Sequence, residues 1–511
     1  MAETLTQAEP AQTQDTSALT LRQDLEHLFD ACELLRPFRR QRYDPGQQME
    51  LSIRGVSPAH AGHIVAQVEQ FVGGGFAGQV YRVKLLRIDA PDGAVDGLSI
   101  GQPYAVKILR PPSGFARVFR DYLYFLAYQG AFSAQVNPAA VRAGVLWQKL
   151  IRRAAACRLG ADNAVCDTYA TFYDRDLHSF GEINEWVTGR TWKLEVDDRL
   201  FDRWKFDGPR PADLNCPEYV HKKFFMRELV ALLHEMGAPE LARQYEWWTC
   251  KSQPNALKRL DVDDGPREAL TAIDFRAGLA LLPFLPMSPA DFWLIARGLI
   301  RGRLVQFDRP DLRRFERFVE DHREDFEDLR PAIDELRAQE PRYRRSLPDI
   351  THHHVRLLAD ASLRQSIKEG AITGWQNLGR LDDQHVARLG GRRWLFALMY
   401  VVSLVPLLGR FIVKLWGNSR YREHVRRALT GWDYLCRTLR GAQIETLITW
   451  HRRGRAGDER TLKLVQRPVR FWVQRILIGW LPAKWHRGLA EPRYAWTRLR
   501  EKLRFVFQFL R

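Results

Sequence analysis

Three groups of residues in this chain have the types and spacing to handle a phosphorylated ligand. Gly73-Gly74-Gly75-Phe76-Ala77-Gly78-Gln79-Val80 meets the pattern GxGxxGxV at each required position. Glycines let a strand–turn–strand pass close over phosphate oxygens, with backbone angles that a Cβ forbids and amides facing the anion. Val80 then packs on a base. In Ala105-Val106-Lys107-Ile108 a lysine sits on an otherwise apolar run. That is costly unless the ammonium meets an anion, the bland reading being a lysine snorkelling from an edge strand. The third group is Leu270-Thr271-Ala272-Ile273-Asp274-Phe275, with Asn255 nineteen residues before the aspartate.

The elements that must position these residues are legible as runs of alternating or helical period. Ala66 to Val72, Gln79 to Ile88 and Tyr104 to Leu109 read as strands, the last two joined by the Gly, Asp and Pro-rich insert DAPDGAVDGLSIGQP. Strand-like flanks on both sides of the glycines speak against a dinucleotide fold, where a helix follows them. A helical stretch from Phe115 to about Ala156 comes next, then a strand pair at Ala164 to Tyr173 and Ser179 to Trp186. Beyond it the pattern turns mostly helical, with Tyr219 to Met236, Pro289 to Gly302 and the charge-laced Asp311 to Gln339.

The charge is informative once it is located. Of the net +17, residues 392–511 carry 26 Lys+Arg against 7 Asp+Glu, a balance of +19, so the other 391 residues sum to −2. The same quarter holds eight of the sixteen Trp. Its centre, Trp394 to Gly409, is sixteen residues without charge, borderline against the ~20 that a spanning helix needs. Trp394, Trp416, Trp472, Trp480 and Trp485 stand at or near the ends of apolar runs with arginines beside them. That pattern suits an anionic membrane surface better than nucleic acid. Arg493 to Arg511 reads as an interfacial amphipathic helix, and a buried core helix is the other reading of 394–409. Six scattered cysteines without a CxxC pair suit a reducing compartment, and the polar N-terminus has no signal-peptide core. The expected location is the cytoplasmic side of a membrane. His352-His353-His354 reads as a solvated polar cluster rather than a metal site.

The order glycine loop, lysine, asparagine, aspartate over residues 66–285 resembles the protein-kinase-like superfamily. Within it the likeness is nearest to the UbiB-like atypical kinases, with the lipopolysaccharide-kinase-like branch second. The resemblance implies an α+β, bilobal protein-kinase-like fold with a helical N-terminal extension and a helical, membrane-associated C-terminal region. The segments would be 1–62 (disordered tail and helical extension), 63–185 (small lobe), 186–345 (helical lobe) and 346–511 (basic, Trp-rich membrane region). It implies ATP and Mg²⁺ as cofactors. Gly73, Gly75, Gly78, Val80 and Lys107 would hold the nucleotide, Glu185 would lie in the adenine-holding hinge Glu182–Gly189, and Asn255 and Asp274 would hold the metal. Lys107, Asp274 and Asn255 would carry the chemistry.

The sequence departs from that pattern where a kinase would do catalysis. Cys250 stands at the position of the catalytic aspartate, Trp248 at that of the histidine before it, and Arg276 at that of the glycine after Asp-Phe. There is no KxGQ motif. The helical stretch after Lys107 offers only Asp121 as an acid, with Gln148 as a substitute hydrogen-bond partner for the lysine. Phosphoryl transfer to an unknown acceptor and a catalytically inactive scaffold on a membrane therefore both stay open, with a nucleic-acid-binding protein as the third reading.

Overall fold

The computed structural model describes residues 11–74, 78–91, 94–111, 137–191, 217–242, 245, 255–260, 262, 269–275, 280–281, 296, 299–300, 305–306, 310–346, 354–403, 405 and 408–509. Gly75, Asp121, Trp248, Cys250, Arg276, His352, His353 and most of Pro289 to Gly302 lie outside these residues. The chain divides into two compact units, one of Met1–Gln41 with Lys414–Arg511 and one of Arg42–Val413.

In chain order, the elements that matter begin with α1 (Ala11–Asp30), β1 (Gln48–Gly55), β2 (Ala61–Gly74), β3 (Gln79–Asp89), β4 (Pro103–Ile108) and α2 (Pro138–Leu159). They continue through β5 (Thr168–Asp174), β6 (Ser179–Glu185), β7 (Gly189–Thr191), α3 (Pro217–Glu235), β8 (Ala256–Arg259) and β9 (Leu270–Ala272). Helices α4 (Leu312–Asp321), α5 (Arg330–Arg345) and α6 (Arg393–Ser403) also belong to the larger unit. In the smaller one α7 (Trp432–Arg452), α8 (Asp458–Gln466), α9 (Pro468–Ile478), α10 (Ala483–Ala490) and α11 (Pro492–Phe509) follow.

β1 to β6 form a closed antiparallel barrel in the order β1-β2-β3-β4-β6-β5. Strict alternation builds it. Met49, Leu51 and Ile53, then Tyr81, Val83 and Leu85, then Tyr104, Val106 and Ile108 all point inward, where they pack as one core. Bulges between β2 and β3 near Val65, Val68 and Phe71 bend that long hairpin, as an added residue in one strand does. Closure depends on β1, because Ile53 pairs with Gly62 of β2 on one side and with Phe172 of β5 on the other.

This barrel corrects the expected fold. A bilobal protein-kinase-like architecture is not what the chain shows, since the strands expected as an open small lobe are sealed by a sixth. The physical reason lies in Gln48–Gly55, a segment read as part of a helical extension, which is an alternating strand that satisfies both free edges of the sheet. A sheet so closed has no unpaired edge.

Helix α2 lies over the outside of β5 and β6. Asn137 caps it by accepting from the Ala139 and Ala140 amides, Pro138 opens it, and Gly160 ends it at φ 65°. Arg142 on its first turns makes a bidentate pair with Glu335 of α5 at 2.8 Å each and donates to Thr171 Oγ1 of β5 at 3.3 Å. A second apolar core joins Leu146, Trp147 and Leu150 of α2 to Leu229 and Leu233 of α3, Phe315 of α4 and Leu336 of α5.

In the smaller unit, Leu21, Leu25 and Phe29 of α1 pack with Ile444, Leu447 and Ile448 of α7. Gly441 permits the approach, as a Cβ there would stand 2.7 Å from Leu34 Cδ1. Arg36 grips Glu445 with both guanidinium nitrogens, at 2.6 and 3.0 Å. The apolar stretch around 394–409 is divided between α6 and a helix at Leu408–Gly417. Among the described residues no helix is long and apolar enough to cross a membrane.

Candidate functional site

The site begins on the outer face of the barrel. Because Val106 and Ile108 point inward, Lys107 between them points out, in register with Val80 of β3 and Glu182 of β6. Lys107 Nζ lies 3.8 Å from Glu182 Oε1 and 2.8 Å from Asp274 Oδ1. The three side chains are 12%, 5% and 25% exposed, so the group is largely withdrawn from water and opens at Asp274. One ammonium faces two carboxylates. Of the two, Asp274 is the closer partner of the ammonium and the more accessible to solvent.

Asp274 is held by its backbone. The Tyr245 hydroxyl donates to the Asp274 carbonyl at 2.7 Å and accepts from the Asp274 amide at 3.1 Å. Burial, with Asp274 beside it, pushes the Tyr245 phenol well up, so it stays a donor. Its ring rests on Phe275 with centroids 5.1 Å apart. Strand β9 is fixed from the other side, where Ala272 accepts from the Cys166 amide at 2.9 Å and donates to Ala164 at 2.8 Å. The Ile273 amide donates to the Asn255 carbonyl at 2.9 Å. Since Ala256 pairs with Ala272, Asn255 and Asp274 leave adjoining ends of β8 and β9. Residues nineteen apart in sequence thus become neighbours.

The glycine residues separate into two kinds. Gly73 pairs with Val80 at the end of the β2–β3 hairpin, and a Cβ on it would meet nothing within 4 Å. Gly78 faces the backbone of β4, where a Cβ would lie 2.4 Å from the Ile108 carbonyl oxygen. Gly78 is therefore required by strand packing, while Gly73 is free to serve something outside the fold. Gly75 lies outside the described residues.

Glu185, expected in a hinge that holds adenine, ends β6 with its polar groups engaged. Its carboxylate accepts from Arg259 at 2.6 Å and from the Asp167 amide at 3.0 Å, and its own amide donates to Asp167 at 3.0 Å. Gln148, the proposed substitute partner of Lys107, instead donates to the Cys166 carbonyl at 3.0 Å. Cys166 is buried, and burial with Glu185 and Glu182 nearby pushes its thiol far up, so it is an inert thiol.

No protein-family model matches the chain. No curated protein and no solved structure matches it either.

Sequence reasoning missed Glu182 as the partner of Lys107, because cross-strand partners follow from register and not from spacing. It also missed Tyr245, a lone tyrosine that no motif marks. Among the described residues no three or more His, Cys, Asp or Glu side chains gather as a metal site. Of the two residues expected to hold Mg²⁺, Asp274 has its carboxylate on the Lys107 ammonium, and Asn255 is placed by its backbone carbonyl at the start of β8.

Proposed function

We propose that the chain binds ATP with Mg²⁺ over the outer face of the barrel at Lys107, Glu182 and Asp274. The observation that carries this reading is the contact of Lys107 with Asp274 at 2.8 Å, made by residues far apart in sequence and opening to solvent at the aspartate. Lys107 is poised to exchange its contact with Asp274 for phosphate oxygens. Asp274, with Asn255 at the adjoining strand end, is then released toward the cation, while Glu182 keeps the ammonium in place. Gly73 leaves open space beside Val80 for the ligand. Bound Mg²⁺ would neutralise charge on the phosphates and orient them.

Two versions of this reading differ in turnover. In one the bound phosphoryl group passes to an acceptor, which positioning and electrostatics favour. In the other the chain is a nucleotide-binding scaffold. Residues 392–511 add a partner, an anionic membrane surface, on the strength of their +19 charge and exposed tryptophans such as Trp394, Trp432 and Trp480. Melting temperatures measured with ATP, with and without Mg²⁺, test the nucleotide part. A rise in the wild type that is lost in Lys107→Ala and Asp274→Ala supports it, and no rise in the wild type overturns it. ATP hydrolysis in the same samples separates the two versions.

A further inference from the structure

Helix α9 is apolar on two opposite faces. One face turns Phe471 and Gln474 into the core of the smaller unit, where the Phe471 and Trp450 rings meet with centroids 5.4 Å apart. The other leaves Val469, Ile476 and Leu477 in solvent, 77%, 73% and 64% exposed, with Val473 between them and Trp480 one turn beyond. Positions 469, 473, 476 and 480 advance by four, three and four residues, which is a single helical stripe. A helix folded only for its own unit would place polar residues there.

The next two helices also leave apolar side chains in solvent. Helix α10 buries His486 and exposes Trp485 and Leu489, four apart. Helix α11 exposes Trp496, Leu499 and Leu503, at the spacing of one helix face. Residues 468–509 contain nine Lys+Arg and two Asp+Glu, a balance of 9 − 2 = +7. Arg475 stands over the Trp472 ring at 4.9 Å, and Arg487 over the Tyr494 ring at 4.4 Å. Each apolar stripe thus carries or adjoins an indole and lies among cations.

Resting on the membrane part of the reading above, we infer that α9, α10 and α11 are the docking surface, seated in the headgroup region of an anionic lipid bilayer without crossing it. Charge complementarity selects the occupant. Indoles prefer the boundary between headgroups and acyl chains, arginines pair with lipid phosphates, and the stripes enter the apolar layer just below. Length selects the orientation. These helices have 11, 8 and 18 residues, and none is long and apolar enough to span.

Flotation of the full-length chain with vesicles tests this, using phosphatidylcholine alone and phosphatidylcholine mixed with phosphatidylglycerol. The wild type is expected to float with the mixed vesicles only. Ile476→Asp combined with Trp480→Ala should reduce the bound fraction about tenfold or more, since two anchoring apolar groups are lost. Arg500→Glu with Lys502→Glu should weaken binding and flatten its loss with salt. Unchanged melting temperatures would show that these exposed substitutions leave the fold intact. A wild type that floats with neither vesicle overturns the membrane reading as a whole. A wild type that floats equally with both overturns the anionic assignment, and variants that float like the wild type overturn this surface alone. A wild-type dimer that the Ile476→Asp/Trp480→Ala variant dissociates makes a second copy the occupant and overturns the lipid assignment.

Discussion

Lys107 Nζ lies 2.8 Å from Asp274 Oδ1 across 167 residues of chain, and Glu182 on the neighbouring strand closes the group at 3.8 Å. The barrel provides the lysine and one acid, and the strand end after β9 provides the other. Two carboxylates around one largely buried cation give that cation a structural role.

Removing the lysine should therefore be worse for the fold than removing one acid. Lys107→Met leaves Glu182 and Asp274 facing each other without a counter-charge, and breaking a buried ion pair costs ~3–5 kcal/mol. Asp274 is a quarter exposed and takes up water, so about 2–3 kcal/mol is expected in chemical denaturation. Adding Glu182→Gln to Lys107→Met should recover part of that loss. A double variant that loses as much as the sum of the two singles, or more, would contradict the coupling.

The two glycines should respond in opposite ways. Gly78→Ala puts a methyl group 2.4 Å from the Ile108 carbonyl, so β4 must shift, at a cost of about 1–3 kcal/mol. Gly73→Ala meets no neighbour within 4 Å and should melt like the wild type. If Gly73 faces the ligand, its alanine variant should still weaken ATP binding. Equal melting temperatures for Gly78→Ala and the wild type would remove the structural account of Gly78.

A pH dependence follows from Lys222, a buried residue of α3. Burial depresses its ammonium pKa from 10.5 to about 8. The folded state thus gives up this proton before the unfolded state does. Below about pH 8 the lysine is charged in both states, and the desolvation penalty, about 3 kcal/mol, is fully present. As pH rises from about 8 to 10.5 the unfolded state binds more protons than the folded state, and stability rises. Lys222→Met should flatten that rise. A variant with the wild-type pH slope between those values would contradict the assignment.

Much of the barrel is legible in the sequence because β3 and β4 alternate, as in Tyr81, Val83 and Leu85 or Tyr104, Val106 and Ile108. Closure is not legible. Met49, Leu51 and Ile53 alternate too, but whether such a strand caps one edge or joins two is a matter of register and tertiary pairing. Lys107, Asp274 and Asn255 are found by residue type, and β8 pairing with β9 makes neighbours of the last two. Glu182 is invisible as a partner, because only the Lys107–Glu182 register of β4 with β6 brings it there. In the same way the motif order suggested a familiar architecture, whereas the pairing of β1 decided a different one.

Isothermal titration of ATP into the wild type, Lys107→Met and Asp274→Asn, each with and without Mg²⁺, tests the central claim most directly. The wild type should bind ATP more tightly with Mg²⁺ present. Lys107→Met should lose affinity under both conditions, and Asp274→Asn should lose the magnesium dependence alone. Equal ATP affinity in all three proteins, or none in the wild type, would contradict a nucleotide site at the Lys107–Asp274 pair.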